Sequence, residues 1–339
     1  MKVRELTAFL ESIAPPQLQE DYDNCGLIIG DPEAEMIGVM VCLDSIESIV
    51  DEAIKTKCNV IIAHHPIIFK GIKKLNGKNY IERTIIKAIK NNICIYAIHT
   101  NLDNVLYQGV NTRIAETLGL KDTSVLLPKN NLSKLEVYCK LENKDQIIKL
   151  IEAENHKGGE TFKLQIEQNA SNPVYIYCIC EAKLAMKINK KISDSNQLMS
   201  SNVIRLENES SLHGSGILGQ VSKPMKTMDF LQSLKEKMKA GTIRHTSVLS
   251  EKIQKIAVCG GAGSFLLPQA ISSGADIYIT ADFKYHEFFD ADNKIMIADI
   301  GHYESEQYTI ELLFEIIKNK FSNFAVHLTK VNTNPVNYL

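Results

Sequence analysis

The most restrictive feature of this sequence is an alternation of short apolar runs with amphipathic stretches, present twice and broken once in the middle. From Met36 to about Leu120 the order is strand, helix, strand, helix, strand, helix. Met36–Leu43 is an apolar run. Ser45 can cap a helix in which Ile46, Ile49, Val50, Ala53 and Ile54 share a face. Asn59–Ala63 (NVIIA) is a continuous apolar strand of the kind covered on both faces. A helix is predicted near Glu82–Asn91, a strand at Ile93–Ile98, and a helix over Gly109–Leu118 that stops at Gly119. Such βαβαβα order demands a largely parallel sheet with right-handed crossovers. The same order returns from Ile253 onward. Strands are predicted at Lys255–Cys259, Asp276–Thr280, Lys294–Ala298 and Phe324–Thr329, and the longest helix near His302–Phe321. Two similar α/β lobes thus form the core, as one sheet or as two similar layers.

The middle segment has another grammar. Leu135–Leu141, Thr161–Glu167, Pro173–Cys180 and Val203–Leu206 read as strands, Lys144–Glu154 and Lys183–Ile192 as helices. That is β-α-β-β-α-β, a ferredoxin-like α+β unit. The expected organisation is an α/β core of residues 1–129 and 211–339 with an inserted domain at 130–210. Gly214–Gly219 (GSGILG) and a helix near Thr227–Lys239 rejoin the core.

Composition excludes several function classes. The 339 residues are 45% hydrophobic and 23% charged, enough to bury a core without disulfide or metal staples. Lys plus Arg is 38 and Asp plus Glu 40, a net charge of −2. That balance leaves no electrostatic footprint for nucleic acid or an anionic membrane, although Lys70, Lys73 and Lys74 form a local basic patch. No apolar run approaches the roughly 20 residues that span a bilayer. Met1 to Pro15 carries Glu5 and Glu11 inside its apolar stretch and does not read as a signal peptide, so cytoplasmic residence is expected. The eight cysteines form no C-x-x-C pair, and several lie in apolar runs. They read as buried small hydrophobes in a reducing compartment.

Three polar clusters follow predicted strands. His64-His65-Pro66 ends NVIIA, and the carboxyl end of a parallel strand is where open α/β sheets place ligands. Adjacent strand residues point to opposite faces, so both imidazoles reach one site only if the strand has ended, and Pro66 favours that ending. His99-Thr100-Asn101-Leu102-Asp103-Asn104 follows ICIYAI, and a carboxylate there can bridge two cations. Gly301-His302-Tyr303-Glu304-Ser305-Glu306 follows KIMIADI. His302 and Glu306, four apart at a helix start, can ligate one ion or neighbouring ions, or form a surface hydrogen-bonded pair. Five ligands exceed the three that a single catalytic zinc usually takes. Two divalent ions about 3.5–4 Å apart sharing Asp103 and a water account better for the count. The mixed shell suits Zn, Fe or Mn and does not choose among them. The implied chemistry is metal-assisted hydrolysis.

At these residues the chain resembles the NIF-three-like dinuclear metal-centre family, also called GTP cyclohydrolase 1 type 2 homologues. The resemblance rests on DYDNCGLIIG (21–30), AHHP (63–66), IHTNLDNV (98–105), GILG (216–219), AVCGGAGS (257–264), TADFKYHEFFDA (280–291) and GHYESE (301–306). It implies that His64, His65, Asp103, His302 and Glu306 bind the metals. It also implies a homohexameric ring with the metal sites facing its cavity, and it is compatible with an inserted domain between the halves. Tyr22 stands where the family often has Trp. The family's name implies ring opening of GTP by attack at C8 of the guanine. In that mechanism His99 or His286 would transfer protons, and Asp282 and His286 could face the cavity. Asp23 and Asn24 would brace a loop near the site. Gly260–Gly263 (GGAG) reads as a tight strand-to-helix turn, with anion binding as the lesser option. Two rivals stand beside the hydrolase: a non-catalytic metal-binding scaffold or regulator, and a metal-dependent phosphoesterase or amidohydrolase.

Overall fold

The apolar runs form two sheets rather than one in a computed structural model of the chain, which describes residues 1–129, 132–155, 163–167, 173–195, 198–207 and 212–339. In the first sheet Cys94–Ala97, Val60–His65, Gly38–Asp44 and Ala325–Leu328 run parallel in that spatial order, and Gly26–Ile29 adds an antiparallel edge beside Cys94–Ala97. In the second, Lys252–Ala262, Ile277–Ala281 and Met296–Asp299 are parallel. Arg244–His245 and Gly214–Lys226 flank them antiparallel, and Lys121–Pro128 closes the far edge.

Alternation along the strands decides the layering, because successive side chains leave a strand on opposite faces. From the first sheet, Val39, Val41, Val60, Ile62 and Tyr96 join a central core. From the second, Ile256, Val258, Ile277, Ile279 and Ala298 join the same core. Between the sheets lie the helices Val3–Ile13, Val110–Leu118, Thr227–Lys237 and Thr309–Lys320, which contribute Leu6, Leu10, Ile114, Leu234, Leu313 and Ile317. The outer face of the first sheet (Met40, Cys42, Ile61, Ala63, Ile95) packs on helices Glu47–Lys55 and Tyr80–Lys90. The outer face of the second (Ala257, Tyr278, Ile297) packs on Leu267–Ser272 and on Phe283 and Ala291. Five layers result, helix–sheet–helix–sheet–helix. The choice between one sheet and two layers is settled as two layers.

Several sequence expectations shift. The fourth strand of the second half, Ala325–Leu328, leaves its lobe and pairs with Gly38–Asp44 of the first sheet. The long helix expected at His302–Phe321 is two, His302–Glu306 and Thr309–Lys320. At the break Gln307 Nε2 donates to the Met238 carbonyl and the Tyr308 hydroxyl to that of Lys237. Ser45 does not cap the following helix: Ile46 occupies the cap position without a side-chain bond, and the Ser45 hydroxyl has no partner. Asn79 caps the next helix by accepting from the Glu82 N–H. Gly119 ends Val110–Leu118 at φ +79.

Residues Pro128–Ser211 separate as a second compact unit from Met1–Leu127 plus Leu212–Leu339. Its strands Leu132–Cys139, Lys163–Glu167, Val174–Glu181 and Leu198–Arg205 lie second–third–first–fourth, with every neighbouring pair antiparallel. Together with helices Lys144–Asn155 and Ala182–Asp194 this is the ferredoxin-like arrangement. Residues 161–162 of the expected strand Thr161–Glu167 lie outside the described residues. Leu135, Val137, Ile176 and Cys178 form its core with Ile147, Ile151, Ala185 and Ile188 of the helices. All eight cysteines are free, and seven are buried. Among the described residues no helix is long and apolar enough to cross a membrane.

Candidate metal centre

The first sheet delivers its chemistry at its carboxyl rim. The strand Val60–His65 does not stop before the histidines. Both lie within it, and His65 pairs with Asp44 of the neighbouring strand. Yet their rings sit 4.8 Å apart. The site therefore lies past the rim rather than on either face, and the two side chains bend over the edge in opposite directions. His64 Nδ1 bonds the Ile98 carbonyl at 2.8 Å, beyond one neighbouring strand. His65 Nδ1 bonds Asp44 Oδ1 at 2.8 Å, at the end of the other. Each contact fixes one ring nitrogen and turns Nε2 inward, the arrangement that orients a metal-binding imidazole. Asp103 ends the short helix Thr100–Asp103, which its neighbours brace. Asn101 Nδ2 donates to the Ala14 carbonyl, and Asn104 Nδ2 to that of Leu18.

The second sheet delivers His302 and Glu306. Gly301, at φ +94, swings the chain from the strand Met296–Asp299 into the helix His302–Glu306. His302 Nδ1 bonds Asp282 Oδ2 at 2.7 Å, and its Nε2 approaches His65 Nε2 at 3.3 Å and Glu306 Oε2 at 3.1 Å. Glu306 is buried and reaches both sides. Its Oε2 lies 2.9 Å from His65 Nε2, and its Oε1 3.8 Å from His64 Nε2. Space for that carboxylate comes from Gly261, where a Cβ would stand 2.4 Å from Glu306 Oε1 and where φ is +63. The turn expected over Gly260–Gly263 starts later in the run, after Ala262. Gly260 and Gly261 still belong to the strand Lys252–Ala262, and their N–H groups donate to Asn111 Oδ1 and Ser305 Oγ.

The ligand atoms fall into three groups close enough to hold an ion: His64, His65 and His99; His64, Asp103 and Glu306; and His65, His302 and Glu306. Glu306 is common to the last two groups, and Asp103, which the ligand count led us to expect between two ions, lies in one of them. Sequence order says nothing about which carboxylate lies between the two sheets.

Electrostatics shows what the protein's own groups leave unbalanced. Burial pushes His64 down to about 4, against the pull of Glu306. Burial also opposes charge on His65, but hydrogen bonds to Asp44 and Glu306 prevail and raise it to about 9. The Glu306 charge raises His302 to about 11. Burial and the nearby Glu306 charge push Asp103 well above the ordinary carboxylate range. Glu306 is held well below that range, because His302, His64 and His65 outweigh its burial. Most telling, His64 Nε2 and Asp103 Oδ1 are buried, 3.6 Å apart, and neither has a hydrogen-bond partner. A buried polar atom left unpaired costs about 1–3 kcal/mol. Two such atoms facing each other, beside a shared carboxylate, fit a divalent cation accepting both lone pairs.

His65, Asp103, His302 and Glu306 line a cleft of about 1210 Å³ bounded by residues of both sheets, whereas His64 is fully buried and outside that lining. His99 lines it. Its ring lies 5.3 Å from that of His64 and 5.2 Å from that of His65, and Asp23 Oδ1 holds its Nδ1 at 2.8 Å. Asp23 also accepts from Thr100, and Asn24 Nδ2 donates to the Ile68 carbonyl, so the pair braces the rim. Burial opposes ionisation of Asp23, yet the His99, Cys25 and Thr100 contacts hold its carboxyl well below the usual range. Asp282 reaches the site by holding His302. His286 does not: it is exposed on the turn of helix Tyr285–Ala291, against the Tyr285 and Phe289 rings and outside the cleft lining. Asp44 is the residue that sequence reasoning missed. It closes the run VMVCLD, and the strand-end rule applied to His64 and His65 would have found it.

Comparison with known proteins identifies the family. Residues 1–335 match the family model Duf34/NIF3 (NGG1p interacting factor 3). A Staphylococcus aureus (strain MSSA476) protein named GTP cyclohydrolase 1 type 2 homolog is 32% identical over 100% of both chains, and a Staphylococcus epidermidis protein of the same name is 31% identical over 100% of both. Among solved structures, Staphylococcus aureus SA1388 superposes with a TM-score of 0.82 at 30% identity, over 100% of this chain and 99% of that one. A Bacillus cereus protein related to NIF3 superposes with a TM-score of 0.77, also at 30% identity and the same coverage. The chain belongs to the Duf34/NIF3 family.

Proposed function

We propose that the chain is a metal-dependent hydrolase with two divalent ions per chain, one held by His64, Asp103 and Glu306 and the other by His65, His302 and Glu306. The observation that carries this is the facing pair of unpartnered buried atoms, His64 Nε2 and Asp103 Oδ1, beside a carboxylate whose other oxygen meets two further imidazoles. Ions bound there, whether Zn, Fe or Mn, supply a hydroxide near neutral pH. The protein supplies the rest. Asp44, Asp282 and the Ile98 carbonyl fix the three imidazoles through their Nδ1 atoms, and Asp23 fixes His99. His99, on the cleft wall with its Nδ1 held by Asp23, is the general acid–base group.

The cleft's size suits a nucleotide, and the names of the relatives suggest GTP as the substrate. Hydrolytic opening of its guanine ring adds one water: oxygen goes to C8, the C8–N9 bond breaks, and a proton is delivered to N9. The homohexameric ring is part of the same proposal, and light scattering on the purified chain checks it.

The test incubates metal-loaded protein with GTP and assays formamidopyrimidine and neopterin products. Formamidopyrimidine that appears with the wild type and disappears with His64→Ala supports the reading. Turnover of phosphoesters or amides instead identifies a phosphoesterase or amidohydrolase. Metal uptake with no turnover of any of these overturns the hydrolase reading in favour of a scaffold or regulator.

A further inference from the structure

We propose that segment 329–339 is a positioning element of the metal centre, acting through a relay from Thr333 to Asp44 to His65. The proposal rests on the reading of the cluster as a metal centre. The segment leaves the strand Ala325–Leu328 at the edge of the first sheet and has no regular secondary structure. It is nevertheless tied down along its length. The Lys330 N–H donates to Glu52 Oε1 at 2.9 Å, and Asn332 and Asn334 accept through their side chains from N–H groups two residues on. Thr333, Asn334, Val336 and Tyr338 line the cleft.

Two of its contacts touch what holds the ligands. Thr333 Oγ1 donates to Asp44 Oδ2 at 2.6 Å, while Asp44 Oδ1 meets His65 Nδ1 at 2.8 Å. Each oxygen of Asp44 therefore has one job, and the Thr333 hydroxyl stops the carboxylate from rotating away from the imidazole. On the other sheet, Asn334 Nδ2 donates to Glu304 Oε1 at 3.0 Å. The Tyr338 ring fills a notch where a Cβ on Gly241 would lie 2.3 Å from it. The Tyr338 hydroxyl lies 3.0 Å from where a Cβ on Gly301, the residue before His302, would stand. A passive tail would have no reason to send a hydroxyl to the one carboxylate that aims His65. Here a single segment braces the mounting of a ligand from each sheet. Partners that orient a ligand typically change metal affinity about 10–100-fold when removed.

The test titrates cobalt(II) alone into the full-length wild type, Thr333→Val and Thr333→Ser, following the visible absorption band, with thermal melts of each protein before loading. The expected result is two ions in the wild type. In Thr333→Val the ion that depends on His65 binds about tenfold more weakly with a shifted band. Thr333→Ser is restored to wild-type behaviour, and the three melts coincide. Equal affinity and an unshifted band in Thr333→Val overturn the proposal, as does a Thr333→Ser variant no better than Thr333→Val. An early melt with unchanged affinity assigns the segment a structural role and overturns it too. A wild type that takes up no cobalt overturns the metal-centre reading underneath, an outcome distinct from the other three.

Discussion

The two sheets of the core share a grammar of parallel strands and crossover helices, yet they furnish the cleft differently. The first sheet contributes its imidazoles from strand ends and one carboxylate, Asp103, from the short helix Thr100–Asp103. His64 and His65 are held within the ladder itself, with rings aimed by a backbone carbonyl and by the carboxylate of the next strand. The second contributes from a helical turn, His302–Glu306, reached through a positive-φ glycine. Its His302 side chain is 39% exposed, whereas that of His64 is fully buried. The first sheet thus supplies rigid, desolvated imidazoles. The second supplies the one carboxylate that spans both groups, His64 with Asp103 and His65 with His302. Two lobes with one architecture can divide a binding site by task, because the architecture fixes only where strand ends lie and not what stands on them.

That division predicts its own failures. Glu306→Gln removes the charge shared by both groups while keeping the shape, so both ions should be lost. Metal analysis of the purified variant should find close to none per chain, and retention of a full complement would show that the sheets hold metal independently. His64→Gln and His302→Gln each strike one group. Each variant should keep one ion and lose the other, with about 10–100-fold weaker uptake at the damaged site. If both variants lose both ions, the groups are one cooperative site and the contrast between the sheets is empty. Gly261→Ala tests the close approach that lets Glu306 reach across. An alanine there pays about 1–2 kcal/mol for its left-handed backbone and pushes a methyl against Glu306 Oε1. A lower Tm with weaker metal uptake is expected. Gly260→Ala, whose Cβ would meet Ile114 and Val110 at 3.1 Å, should cost less.

What the sequence disclosed follows the same line. Apolar runs at strand length and the split β-α-β-β-α-β order are local signals, and both lobes and the ferredoxin-like unit follow from them. The strand-end rule is nearly local too, and it leads to His64, His65, His99, Asp103 and His302, which the fold gathers into one cluster, with all but the buried His64 lining the cleft. What it could not disclose depends on which elements become neighbours. The strand-end rule reaches Asp44 as a position but not its hold on His65, which exists because its strand pairs with Val60–His65 in register with His65. Glu306 is the shared carboxylate only because the two sheets stack through a common helical layer. Thr333 lies 289 positions from the carboxylate it holds, in a segment with no periodicity to read. The strand Ala325–Leu328 has the pattern of its own half and the partner of the other, since a parallel edge strand is recognised by pairing and not by composition.

The smallest expected effect is at His286, and it is set against His99, a histidine that looked like it in the sequence, each close to a conspicuous motif. His99 stands on the cleft wall within 5.3 Å, ring to ring, of both paired imidazoles, with Asp23 fixing its tautomer. His286 belongs to the second sheet's outer decoration, exposed between Tyr285 and Phe289. A general acid–base group contributes about 10²–10⁴-fold to a rate, so His99→Gln should lose kcat on that scale while still loading metal. His286→Ala should leave metal content and kcat within about threefold of wild type, because a ring outside the cleft has no reacting atom within hydrogen-bond reach. A large loss of kcat in His286→Ala at unchanged metal content would mean that the second sheet supplies the proton and the first does not. The division of labour between the lobes would then have to be redrawn.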